Sequence, residues 1–428
     1  SLLPLLSIIL EKCIYSRLLK FLDKYDILSP KQFGFRANHS TSHALLNFLT
    51  HVSNAIENNE IIVGIFLDFQ KAFDSISHDI LLAKLNHYGI RGITLALFRS
   101  YLSDRKQFTV FNLHNSCQES VCCGVPQGSI LGPLLFLIYI NDLHTVSPDL
   151  NFLLFADDTN IFYKHKDADS LTQILNVELK KVNEWIRANK LQLNYDKTHI
   201  MVFNAGKANM NKIKIYINEN LIKHVDTTKF LGVTIDRDLK WKNHVYNILR
   251  KISKMIGVMS KLKDTLPQNV LLLLYNSMIL PYLSYCNIIW GSCNKYLLER
   301  ILLLQKRAVR IICHKPFLSH SRPLFLKLKI LPINLLYEFQ LCVFMYSFYN
   351  NLLPKSFSNT FQCNSDVHHY NTRSASDIRA IYGRKSFSNS IFLCKGPLSW
   401  NRLPIEIKQC KTLSNFKRKL KSYLMLQI

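Results

Sequence analysis

The sequence has no C-x-x-C pair, although it contains 11 cysteines. That removes the spacing a structural zinc site needs, and an odd count with Cys122 and Cys123 adjacent does not form a disulfide framework. The thiols are expected to be reduced and mostly buried, in an intracellular protein. Cys313-His314 and Cys363 with His368-His369 are faint zinc pairs, for which an ordinary core or surface role is the better reading. No apolar run approaches the roughly 18 residues of a membrane span. The longest, Leu134–Ile140 and Val270–Leu274, suit a core, so no membrane partner is expected. There is no charged n-region with a small-residue cleavage site, and a chain opening on Ser1 reads as truncated at its N-terminus. Internal repeats are absent. Acids are scarce: 29 Asp and Glu stand against 54 Lys and Arg, a net charge of +25. A surplus of that size points to a polyanionic partner, because neutralising phosphates releases counterions and supplies most non-specific nucleic-acid affinity. With 428 residues, 48% of them hydrophobic, the chain can bury large cores in two or three domains and is not disordered.

The chemistry centres on Asn151-Phe-Leu-Leu-Phe-Ala-Asp-Asp-Thr-Asn-Ile-Phe-Tyr163. Two apolar, aromatic runs flank a polar tip, the pattern of a tight β-hairpin with Asp157 and Asp158 at its turn. Adjacent carboxylates repel unless a cation compensates, so the pair suggests a Mg²⁺ site, although Asp-Asp in a turn is more often simply solvated. A second acid shifts the balance. Asp68 ends Ile61-Ile-Val-Gly-Ile-Phe-Leu67, a run apolar enough for a buried strand, which should not finish on an unpaired carboxylate. If that strand lies beside the hairpin, Asp68 and Asp157 converge, as two cations about 3.5–4 Å apart in a phosphoryl displacement would need.

In chain order, helical spacing runs from Ile8 to Tyr25. Gln32-Phe-Gly-Phe-Arg36 is an extended segment whose Arg36 could clamp a phosphate, and Ser40-Thr41 opens a second helix. A helix over Asp79–Tyr88 has Asp79 as N-cap and Gly89 as C-cap. After a helix at Thr94–Leu102, Phe108–Phe111 and Ser120–Cys123 look like strands. Gly124-Val-Pro-Gln-Gly-Ser-Ile-Leu-Gly-Pro133 is a rigid turn whose backbone can approach a ligand before a buried helix. Leu171–Ala188 reads as a helix, Leu191–Phe203 as loop then strand, and Phe230–Ile235 as a strand. Between Lys240 and Arg310, twelve Lys and Arg face only Asp264 and Glu299. On a helix over Glu299–Ile312, Arg300, Lys306, Arg307 and Arg310 share one third of the circumference. Leu324–Tyr349 reads as helical and Phe416–Lys421 as a basic helix, with linkers at 204–211 and 356–376.

Taken in order, Asp68, the Pro126-Gln-Gly turn, Phe155-Ala-Asp-Asp158, Lys197 and Phe230-Leu-Gly232 resemble the successive motifs of a reverse-transcriptase palm. Phe-Ala-Asp-Asp, with Gln32-Phe-Gly-Phe-Arg36 and Leu67-Asp-Phe-Gln-Lys-Ala-Phe-Asp74, resembles the non-LTR, LINE-type retrotransposons of the jockey-like groups. Tyr370-Asn-Thr-Arg373, Tyr382-Gly-Arg-Lys-Ser-Phe387 and Gly396-Pro-Leu-Ser-Trp-Asn401 are similar to C-terminal segments of such elements. The resemblance implies an α+β right-hand polymerase: fingers and an antiparallel-sheet palm over 1–240, a helical thumb over 241–315, and a mainly helical, basic nucleic-acid-binding region over 316–428. It implies an RNA-directed DNA polymerase adding dNTPs to a primer 3′-hydroxyl on an RNA template, by target-primed reverse transcription. Asp68, Asp157 and Asp158, with the Phe69 backbone oxygen, would hold two Mg²⁺ ions, with Mn²⁺ as substitute. Lys197 would donate a proton to pyrophosphate. Arg36, Phe73, Gln127 and Gly128 would form the nucleotide pocket, Phe73 blocking a ribose 2′-hydroxyl, a residue that speaks against an RNA-dependent RNA polymerase. Phe230, Leu231, Gly232, Arg300, Lys306, Arg307 and Arg310 would contact primer and template. Partners would be RNA, primer or target DNA, and dNTPs, in a cytoplasmic ribonucleoprotein and the nucleus. The rival expectation is a catalytically silent, domesticated nucleic-acid-binding protein.

Overall fold

The computed structural model describes residues 4–126, 128–204, 212–367 and 375–428. The chain divides into two compact units, Ser1–Ser40 with Asn59–Val225, and Thr41–Asn58 with Asp226–Ile428.

The first unit is built on a five-stranded sheet. Its central strand β1 (Ile61–Leu67) is buried along its whole length, which is why its sequence is continuously apolar rather than alternating. A ribbon of two-residue strands follows: β2 (Lys106–Gln107), β3 (Val110–Phe111), β4 (His114–Asn115) and β5 (Glu119–Ser120). The two longer strands expected here are thus shorter pieces, all exposed. The hairpin is β6 (Asn151–Phe155) and β7 (Asp158–His165), and after it come β8 (His199–Phe203), β9 (Tyr216–Ile217), β10 (Asn220–Leu221) and β11 (Lys223–His224). The sheet order is β11-β8-β1-β7-β6, with β1 antiparallel to both neighbours. Gly64 suits this packing: a Cβ there would lie 3.0 Å from the Phe162 ring, which would have to shift to admit it.

Helices α1 (Leu5–Lys24), α3 (His78–His87), α4 (Gly92–Leu102), α5 (Leu131–Ile140) and α6 (Ala168–Ala188) belong to this unit. Of the ten residues of α5, nine are buried, so it is a core helix without an exposed face. A buried carboxylate secures its start. Glu11 on α1 accepts from the Ile130 amide (2.6 Å) and the Tyr101 hydroxyl (2.8 Å), and burial pushes that phenol up to about 12. The expected cap at Asp79 is displaced: Ser77 precedes the helix and Asp79 lies in its first turn, where a carboxylate still favours the positive end of the helix dipole. Gly89 follows with φ +93°, the left-handed conformation that ends helices.

The second unit contains α2 (Thr41–Glu57), the hairpin of β12 (Thr227–Phe230) and β13 (Val233–Asp236), and α7 (Lys242–Leu262). Phe230–Ile235 is therefore a hairpin instead of one strand, because Leu231 (φ +45°) and Gly232 (φ +79°) turn the chain. The helices continue as α8 (Gln268–Met278), α9 (Leu280–Ser284), α10 (Asn287–Trp290), α11 (Lys295–Ile312), α12 (Arg322–Leu328) and α13 (Ile333–Tyr349), then α14 (Asn364–Val367), α15 (Ser386–Ser390), α16 (Phe392–Asn401), α17 (Ile405–Lys408) and α18 (Leu413–Met425). α13 packs on α16 and α18, so residues 316–428 share their unit with 226–315 and α2. Within 356–376, Phe357 and Phe361 are buried, so that expected linker is anchored in the core at these two residues, while the 205–211 part of the other lies outside the described residues. The Tyr382–Phe387 segment docks on α2: Glu57 accepts from the amides of Arg384 (2.7 Å) and Lys385 (3.0 Å). No single described helix is long and apolar enough to cross a membrane, although the bent pair α12 and α13 passes by length and composition.

Candidate active site

Register brings the acids together. β1 pairs with β7 through Leu67 opposite Thr159, and β6 with β7 through Phe155 opposite Asp158. One step beyond the first pairing sets Asp68 beside Asp158, while Asp157 occupies the turn. The chain after Asp68 is held from the other side: the Asp68 amide donates to Thr198 Oγ1 (3.3 Å), its carbonyl accepts from the Asn194 amide (2.8 Å), and the Gln70 amide donates to the Gln192 carbonyl (2.8 Å). Because carbonyls alternate along a strand, the Phe69 carbonyl faces away from residues 192–194, toward the side of the hairpin.

The electrostatics are one-sided. Surrounding protein, then the charges of Asp157 and Asp68, push the Asp158 carboxyl up to about 6. Lys197 offers partial compensation, its Nζ 3.7 Å from Asp68 Oδ2 across a largely solvated gap. As they stand, no three His, Cys, Asp or Glu side chains among the described residues converge closely enough to ligate one ion. The donor set nevertheless fits a hard divalent cation: three carboxylate side chains near one another, short of positive charge. The raised carboxyl is also a stability statement. Its folded pKa exceeds the unfolded value, so the stability it contributes is present near pH 4 and lost as pH rises through about 6. Without divalent cations, Asp158→Asn is therefore expected to raise the melting temperature by a few degrees at about pH 8 but not at about pH 4. Added Mg²⁺ should narrow the gap at the higher pH; scanning fluorimetry measures all of this, and an equal shift at both pH values would refute the assignment.

A cleft of about 840 Å³ adjoins Asp68 and is lined by Lys71, Lys190 and Lys197 among others. Lys71 and Lys190 carry no local sequence signal for this cleft, because they lie on different segments of the chain. Phe73 is half-buried, stacked on Phe136 at 4.6 Å and edge-on to Phe35 at 6.5 Å, so its ring is braced. Gly128 has φ +90°, and Gln127 lies outside the described residues. Arg36 folds back, donating Nη1 to the Ser29 carbonyl at 2.7 Å.

In the second unit, the Phe230 ring is buried against Phe48, leaving the Leu231–Gly232 turn as the outward part of that motif. The Leu231 carbonyl accepts from Tyr285 Oη at 2.7 Å. A second cleft, of about 650 Å³, carries Lys229, Gly232, Arg250, Lys251, Lys254 and Tyr285. Of the four cations singled out on α11, Arg300 stacks on Tyr246 (5.2 Å) and Arg310 donates to the Ser319 carbonyl (2.7 Å). Arg307 is exposed and Lys306 half-exposed.

Residues 1–235 match the family described as reverse transcriptase (RNA-dependent DNA polymerase). The chain is 31% identical over 342 residues to the RNA-directed DNA polymerase from mobile element jockey of Drosophila melanogaster, covering 77% of this chain and 37% of that protein. It is 30% identical over 327 residues to the probable RNA-directed DNA polymerase from transposon X-element of the same species, covering 73% and 35%. It thus spans little more than a third of those relatives. Among solved structures, telomerase from Candida tropicalis in complex with a telomeric RNA fragment aligns at 13% identity and a TM-score of 0.41, over 75% of this chain and 56% of that one.

Proposed function

Because the chain belongs to the reverse transcriptase family, we propose that it is the RNA-directed DNA polymerase portion of a non-LTR retrotransposon protein, joining dNTPs to a primer 3′-hydroxyl on an RNA template. The observation that carries this reading is the convergence of Asp68, Asp157 and Asp158 at the ends of β1 and the β6–β7 hairpin, where surrounding protein and then the two neighbouring charges push the Asp158 carboxyl up to about 6. Held by these carboxylates and the Phe69 carbonyl, two Mg²⁺ ions, or Mn²⁺ in their place, would supply Lewis acidity toward the primer hydroxyl and charge neutralisation at the leaving pyrophosphate. Lys197, whose Nζ lies 3.7 Å from Asp68, would give pyrophosphate a proton, and Lys71 and Lys190, which line the same cleft, would offer charge to the triphosphate. Template sequence is read by base pairing, so the protein needs mainly backbone contacts, for which the cations of the second unit serve. Residues 1–240 would act as fingers and palm, 241–315 as thumb and 316–428 as further nucleic-acid surface, in a cytoplasmic ribonucleoprotein and in the nucleus.

The deciding experiment is primer extension on a homopolymer RNA template with Mg²⁺. Extension by purified protein is expected; binding of primer–template without extension would favour the silent nucleic-acid-binding reading instead. Phe73→Ala tests substrate choice. Since the Phe136 and Phe35 rings hold Phe73, its removal opens space at the sugar, and ribonucleotide incorporation should rise on the order of tenfold or more relative to dNTPs. An unchanged ratio would remove Phe73 from that role.

A further inference from the structure

The catalytic turn has an external support. Phe155 pairs with Asp158, leaving Ala156 and Asp157 as a two-residue hairpin loop. Ala156 has φ +55°, a conformation that such turns usually assign to glycine, so the loop needs something to hold it there. The support comes from more than a hundred residues upstream. Lys31–Phe33 runs parallel to β6: the Leu154 amide donates to the Lys31 carbonyl (2.9 Å) and the Phe33 amide to the Leu154 carbonyl (2.8 Å). From this added strand the Gln32 side chain, 2% exposed, reaches the turn. Its Oε1 accepts from the Ala156 amide at 3.0 Å and from the Gly34 amide at 2.8 Å. Gly34 lies against the same peptide: a Cβ there would stand 2.3 Å from the Ala156 nitrogen and 3.0 Å from the Phe155 carbonyl carbon, backbone atoms that cannot swing aside.

The added strand is itself tethered. Asn141, just after α5, accepts from the Ser29 amide and donates to the Ile27 carbonyl, each at 2.8 Å, and Arg36 donates to the Ser29 carbonyl. Gln32 Nε2, in contrast, is a buried donor with no hydrogen-bond partner among the described residues, while the oxygen of the same amide serves the turn.

We propose that Gln32 and Gly34 set the position of the Asp157–Asp158 turn, Gln32 as a positioning residue that fixes the Ala156 peptide and Gly34 by admitting that peptide against the added strand. This inference rests on the polymerase reading for its kinetic consequence but not for its geometry. It is tested with Gln32→Met, similar in length but lacking the acceptor, with Gly34→Ala, and with the double variant Gly34→Ala/Ala156→Gly, in which a freer turn can retreat from the new methyl. Each is assayed for primer extension and for Mn²⁺ binding to the protein alone by electron paramagnetic resonance. Gln32→Met and Gly34→Ala are expected to lower kcat about 10–100-fold, the scale of a misplacement near 1 Å, with little change in KM for primer–template. They should also weaken Mn²⁺ binding several-fold, and the double variant should recover part of both losses. If the folded variants melt at lower temperature yet keep wild-type kcat and Mn²⁺ binding, the contact is structural only and the proposal is overturned. Should Gly34→Ala fail to fold, Gln32→Met alone decides. Should the wild type not polymerise, the functional reading fails while the Mn²⁺ titration still reports on the turn.

Discussion

Asp157→Asn should abolish primer extension while leaving the fold and primer–template affinity close to wild type. Asp157 sits in the hairpin turn, exposed, one residue from the β6–β7 ladder, and asparagine keeps its shape and hydrogen-bonding reach there. What changes is charge. In the proposed reading Asp157 would ligate a divalent cation that stabilises the charge developed in phosphoryl transfer by several kcal/mol, so its loss is expected to cost on the order of 10³-fold or more in rate. Asp68→Asn should do the same, since register brings Asp68 beside Asp158 at the end of β1. Circular dichroism and an equilibrium binding measurement separate this from unfolding. Retained extension by well-folded Asp157→Asn protein would sink the polymerase assignment, because that reading rests on this group of carboxylates.

The second large effect concerns how nucleic acid is held. Replacing Lys229, Arg250 and Lys254 together by glutamine should lower the slope of log K against log salt by about 0.9 per lost phosphate contact on a B-like duplex, with an RNA–DNA hybrid deviating somewhat. All three are exposed and without an ion pair among the described residues, and they line one cleft with Tyr285 and the Gly232 turn. His244, also at that cleft, adds no charge, because burial and then Lys251 drive its imidazole down to about 4. Neutralising Arg300, Lys306, Arg307 and Arg310 on α11 should reduce the slope as well. Arg300 and Arg310 already have partners within the protein, so the loss per residue should be smaller there. First-nucleotide incorporation, which the proposed function assigns to the acids of the first unit, should change much less than processivity in both cases. A salt slope unaffected by either set would return these cations to an ordinary solvated surface.

The division between sequence and structure follows the range of the forces involved. The buried strand before Asp68, the hairpin around Asp157 and Asp158, the core helix α5, although it starts at Leu131 inside the expected Gly124–Pro133 turn, and the end of α3 at Gly89 are legible locally, because hydrophobic period, β-branching and positive φ act over a few residues. Motif order was enough to indicate the family, since each motif is short and their succession is specific. Tertiary structure alone decided that α2 and the Tyr382–Phe387 segment belong to the same unit, through Glu57 and the Arg384 and Lys385 amides. It decided that Phe230 is core and the Leu231–Gly232 turn surface. It also brought Gln32 to the Ala156 peptide. A hydrogen bond between residues 124 apart leaves no periodic trace in a single sequence; its partners are set by strand pairing and packing, which become defined only when the whole sheet is assembled.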